Sequence, residues 1–228
     1  MTNPNSDEEE RVKAMYRPGN AKLVTEYVKE PLQEMIHYEG ERAFLRASDD
    51  LLMLLVFTYI DLLGYFYRGD SKSIYAVEFI REYLGRVDQR YVEVGGLLYH
   101  CLRHGMVHLA TPKRIKLEDG TMLDFSFHRS GRREDYLKTM RYPEKSATGT
   151  IVYIYRLSLD MPLLYQDLLS AIDEYTEDIK INHELSDVFA KAFITRRKPE
   201  KEKEEVLLRK SYIQDSDFAF IREQISKL

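Results

Sequence analysis

The stretch from Leu51 to Tyr67 is apolar or aromatic at almost every position, and a chain that carries it has few ways to fold. It falls short of the ~20 residues that span a bilayer, and Asp61 inside it would be costly at mid-depth. A helix that is hydrophobic all round is suited to the centre of a helical bundle. The segment therefore predicts a core helix, no membrane partner and a cytoplasmic location. Ser48 and Asp49 are suited to cap it, and Gly69-Asp70 to end it.

The flanking sequence supplies helices for that core. Met1 to Glu10 is polar and acidic, unlike a secretion signal, and residues 1–20 read as a flexible tail. Asn20 would cap a helix over Ala21–Arg46, with Leu23, Val24, Tyr27, Val28, Leu32, Met35 and Ile36 as its stripe and Pro31 kinking or splitting it. Ser73 would cap a helix over Ile74–Leu84 that stops at Gly85. Asp88 opens a fourth helix, which turns Tyr91, Val94, Leu98, Cys101 and Leu102 inward. Gly95-Gly96 in its middle signals either close helix approach or a kink.

Beyond His108 the pattern changes. Pro112 blocks further helix, and Arg114–His128 alternates around Asp119-Gly120, a hairpin signal. A third strand is expected at Gly149–Leu159, after a polar loop from Arg129 to Thr148. Asp160-Met161-Pro162 starts a helix to about Asp178 that buries Leu163, Leu164, Leu168, Ile172 and Tyr175. A further helix follows at Glu184–Ile194. Arg196–Glu205 is almost wholly charged, and Ser216 would cap a short amphipathic helix with Phe218, Ile221, Ile225 and Leu228. The fold class expected is mainly α: a helical domain over 21–195 with a small antiparallel hairpin or three-stranded insertion at about 113–159. A charged linker and the short C-terminal helix occupy 196–228.

A net charge of −4 gives no bulk attraction for nucleic acid, so any such binding needs a local patch. The single cysteine, Cys101, excludes an internal disulfide and reads as a small buried hydrophobe. Chemistry is concentrated in Leu97–His108, where His100, His104 and His108 recur at spacing four around Arg103. At about 100° per residue these side chains share one arc, away from Leu98, Cys101 and Leu102. Three readings are open. Histidines near a helix C-terminus interact well with the macrodipole. A His pair at i, i+4 suits zinc, but the acidic candidates Glu93 and Asp61 do not complete a ligand set by spacing. An arginine and a histidine together can cleave RNA without metal, the histidine moving a proton and the arginine holding the phosphate.

Arg103-His104-Gly105-Met106-Val107-His108 has the arrangement arginine, polar residue, three variable residues, histidine. It resembles the motif of the HEPN superfamily (higher eukaryotes and prokaryotes nucleotide-binding domains). The layout is similar as well: an apolar helix with an embedded acid, the motif at the end of a bundle helix, Pro112-Lys113, strands, and a closing helix. The resemblance covers about residues 21–195. It implies a homodimer with two motifs in one cleft, acting as a metal-independent endoribonuclease in toxin–antitoxin or phage defence. No cofactor or metal is implied, and an antitoxin or defence protein would be a partner.

Carried over, Arg103 would stabilise the scissile phosphate, His108 would be general acid or base, and His104 would orient them. Asp61 and His100 would support. The alternative within the family is a catalytically silent module for dimerisation or nucleotide sensing. Ala110 stands where silenced toxins of this type carry a tyrosine, so regulation through that tyrosine is not expected. From Pro112 to Lys145, nine basic residues face six acidic ones. Lys113, Arg114, Arg129, Arg132 and Arg133 are thus candidate contacts for single-stranded RNA, with Tyr136 and Tyr142 as stacking partners.

Overall fold

In a computed structural model of the chain, the apolar segment forms helix α2, Asp49–Arg68, and Gly69 ends it at a positive φ with its N–H on the Tyr65 carbonyl. The structure describes residues 17–35, 49–109, 111–117, 121–145 and 148–197, with backbone alone at 108, 109 and 197. The expected C-terminal helix and most of the charged linker lie outside these residues. Residues through Ala192 form one unit; a second begins at Phe193.

α2 is long and apolar enough to cross a membrane by length and composition. Its apolar side is nevertheless taken up by the fold. Leu52, Met53, Val56, Phe57, Ile60, Leu63 and Phe66 are all buried. Phe66 meets Phe189 edge-on, and Tyr67 stands between Phe79, Tyr83 and Tyr175. Aromatic pairs of this kind add to simple area burial. α2 is therefore a core helix.

Around it run α1 (residues 17–35), α3 (Ser73–Phe79, Ile80–Leu84 and Gly85–Val87), α4 (Arg90–Leu98, Tyr99–His104 and Gly105–Leu109), α5 (Met161–Ile181) and α6 (His183–Arg197). Three of them contain a π-helical segment: Thr25–Lys29, Ile80–Leu84 and Tyr99–His104. The first explains Pro31. The Glu30 N–H bonds the Thr25 carbonyl, five residues back, and this wider turn accommodates the proline without ending the helix. Asn20 lies inside α1 instead of capping it, and its side chain reaches Ser186 of α6. Gly85 is helical too, and α3 ends at extended Asp88.

Gly95 is a point of close approach: a Cβ there would meet Ile80 Cγ2 at 2.7 Å. α4 thus packs backbone-close on α3. The start of α5 is as expected, with the Asp160 carboxylate accepting the Leu163 N–H and Pro162 in the first turn. Leu163, Leu164, Leu168, Ile172 and Tyr175 are buried along it.

The insertion has four strands, one more than expected, and is mixed. β1 (Ile115–Lys116), β2 (Met122–His128), β3 (Thr139–Lys145) and β4 (Ile151–Asp160) lie in the order β1-β2-β4-β3. β1 and β2 form the expected hairpin, with Ile115 opposite Leu123. β4 is antiparallel to β3 but parallel to β2, with Leu123 opposite Tyr155 and His128 opposite Asp160. The additional strand is β3, within the stretch expected to be loop. Pro143 and its charged neighbours hide the alternation, but an edge strand tolerates proline because one side of its backbone faces no ladder. Residues 129–138 cross the sheet end and carry Tyr136 into the core.

Candidate functional site

α2 and the π-helical segment of α4 bring Asp61 and Arg103 together. Arg103 Nε donates to Asp61 Oδ2 at 2.9 Å, and the Tyr99 hydroxyl donates to Oδ1 at 2.5 Å. Both charged side chains retain 29% exposure. Asp61 thus holds the guanidinium through its stem-side nitrogen. Among the described residues, nothing occupies the two terminal nitrogens. A guanidinium whose terminal nitrogens are left to a ligand can bind a phosphate through two hydrogen bonds. Burial raises the Tyr99 pKa, assisted by its bond to Asp61, so the phenol stays protonated and keeps donating.

The histidines adjoin this pair. The His104 ring meets Tyr99 edge-on at 5.6 Å and lies 5.7 Å from His100. Lys113 Nζ stands 3.2 Å from His100 Nε2. His108 continues the same helix through Gly105–Leu109; its side chain lies outside the described residues. The structure therefore gathers Asp61, Tyr99, His100, Arg103, His104 and Lys113. Tyr99 is the member that sequence reading missed. Its apolar neighbours Leu97 and Leu98 mark it as core, and only the Asp61 register reveals its role.

The local backbone explains how Lys113 arrives. The Gly105 N–H bonds the Leu102 carbonyl, and the Lys113 N–H takes the Cys101 carbonyl at 2.9 Å. A Cβ on Gly105 would fall 2.5 Å from the Lys113 nitrogen and 2.6 Å from the Thr111 oxygen. Gly105 does not break the helix; it admits the segment that folds back along it. Cys101 is buried beneath, and burial pushes its thiol up to about 11.

The expected RNA contacts divide. Lys113 belongs to the site, and Arg132 is exposed. Arg114 bridges Asp124 and Glu144, and Arg129 pairs with Asp49 at 2.7 Å. Arg133 grips Asp167 with both terminal nitrogens, at 2.6 and 2.7 Å. Tyr136 is fully buried and bonded to Tyr91, which removes it as a stacking surface. Tyr142 is half-buried with Arg156 over its ring at 4.9 Å.

A second polar constellation lies at the sheet end. His128 Nε2 is 2.6 Å from Ser158 Oγ, and its Nδ1 is 3.2 Å from Asp160. The order resembles a nucleophile, base and orienter, but Ser158 is fully buried and its backbone N–H and C=O bond Lys138 and Leu137. A substrate has no approach to that hydroxyl. Asp160 also accepts from the Gly131 N–H, Ser130 Oγ and the Leu163 N–H. The cluster fastens the crossing loop to α5.

No three His, Cys, Asp or Glu side chains among the described residues converge as metal ligands. Comparison of the chain with protein-family profiles, curated proteins and solved structures finds no match.

Proposed function

We propose that the protein is a metal-independent endoribonuclease of the HEPN type, acting as a cytoplasmic homodimer in a toxin or phage-defence setting with an antitoxin or defence protein as partner. The observation that carries the reading is the Arg103 guanidinium, held by Asp61 through Nε with no partner among the described residues on its terminal nitrogens, in the helix segment where His104 meets Tyr99 and Lys113 meets His100. Such a guanidinium neutralises charge that builds on a phosphate as it is attacked.

The reaction needs only proton transfer and phosphate stabilisation. A histidine removes the ribose 2′-hydroxyl proton as that oxygen attacks phosphorus. The P–O5′ bond breaks, the leaving 5′-oxygen takes a proton from an acid, and a 2′,3′-cyclic phosphate remains. His108 is assigned one of these proton transfers, with His108 of the partner subunit available for the other. Arg103 holds the phosphate, His104 orients the pair, and Asp61 and Tyr99 position Arg103. Lys113 adds positive charge beside the strand, with His100 Nε2 accepting from its ammonium.

The test is cutting of single-stranded RNA by purified protein in EDTA. Cyclic-phosphate products that vanish in Arg103→Ala and in His108→Ala are expected. Full activity in both variants would sink the reading. A wild-type protein that dimerises yet never cuts would favour the silent module.

A further inference from the structure

We propose that the exposed end of one face of β3 and β4, at Ile151, Tyr153 and Tyr155, is a stacking platform for single-stranded RNA, on which Tyr153 and Tyr155 take bases while Arg141 and Lys145 hold phosphates. The identity of the strand rests on the ribonuclease reading. Tyr153 is 52% exposed and Tyr155 37%, high values for tyrosines within a sheet, and Ile151 extends the same face. Residues two apart on a strand project the same way, about 6.6 Å from each other, so two bases of one chain can each meet a ring.

The register sorts charge by face. Arg141 lies opposite Tyr155, Pro143 opposite Tyr153 and Lys145 opposite Ile151, so among the described residues of β3 and β4 this face holds two cations and no carboxylate beside its tyrosines. Glu144 and Asp124 project to the other face, where Arg114 pairs with both. Arg141 already lies 3.7 Å from the centroid of Tyr153, an aromatic–guanidinium pair of the kind that single-stranded nucleic acid engages. Charge complementarity therefore favours an anionic polymer with flat faces. Pro143 removes a backbone donor from the β3 edge, which opposes strand addition by a protein partner or a second copy.

Anisotropy of a fluorescent oligouridine, measured on full-length His108→Ala in EDTA, tests the proposal. Added Tyr153→Ala or Tyr155→Ala is expected to weaken binding about tenfold each, and Tyr→Phe at either position to restore it. Arg141→Gln is expected to flatten the salt dependence. Unchanged affinity in the double Tyr→Ala variant, or no binding to any single strand, would overturn the platform. If cutting depends on Arg103 while the tyrosines leave affinity unmoved, the platform fails and the nuclease stands. Tyrosine-dependent binding by a wild type that never cuts supports the platform and removes the nuclease.

Discussion

Two of the clusters of tyrosine, aspartate and arginine among the described residues differ in how much of the arginine they use. At Asp167, Arg133 spends both terminal nitrogens on one carboxylate, Tyr91 donates to the same carboxylate at 2.9 Å and Tyr136 bonds Tyr91. Asp167 is 1% exposed, and burial holds both tyrosines far above their ordinary pKa. At Asp61, Arg103 spends only Nε among the described residues, and both side chains are 29% exposed. The same residue types make a fastening in one place and a poised cation in the other. The distinction is set by which nitrogen meets the carboxylate and by burial, since a desolvated ion needs every partner it can gain.

Truncating each arginine should separate these roles. Arg103→Ala is expected to lower RNA cleavage by about 10²–10³-fold with an unchanged thermal midpoint. A large loss of stability with intact cutting would reverse the assignment. Arg133→Ala is expected to cost about 3 kcal/mol in denaturant unfolding, because Asp167 stays buried without its counter-charge. A near-neutral result would show that water replaces the guanidinium.

Gly105→Ala sharpens the contrast from the backbone side. The new Cβ must displace the Thr111–Lys113 segment, at about 1–3 kcal/mol, and cleavage should fall with it. Asp61→Asn is expected to lower cleavage about tenfold by loosening the Arg103 fork. Faster cutting would instead make Asp61 a restraint on the arginine. The smallest effect concerns Asp88, whose pKa is lowered by its hydrogen bond to Arg90. Its contribution to stability is present above the ordinary carboxylate range near pH ~4 and lost as pH falls through the lowered folded value. Asp88→Asn should therefore lower stability slightly at neutrality, change little below the lowered folded value, and so flatten the acid limb of a stability-against-pH curve.

The legible parts of the chain were those whose signal is local. The extent of α2, its stop at Gly69, the Asp160 cap, the β1–β2 hairpin and the inward stripe of α5 all follow from periodicity and capping chemistry. The errors share a cause. Asn20 offers a cap but is drawn into α1 by its bond to Ser186, and Gly85 offers a stop but serves helix packing. β3 was hidden because its edge position, which tolerates Pro143, is a property of the sheet. Asp61 and Arg103 were visible as residue types, whereas Tyr99 joins them only through the packing of α2 on α4.

The sequence by itself determined a mainly helical chain around one apolar helix, and a stretch where arginine and histidines share a helix surface. Only the tertiary structure decided that Arg133 meets its carboxylate through both terminal nitrogens and Arg103 through Nε. Helical and strand patterns are written in neighbours a few positions apart. An ion pair between residues 61 and 103, or 133 and 167, depends instead on how helices pack and on how much water remains between them.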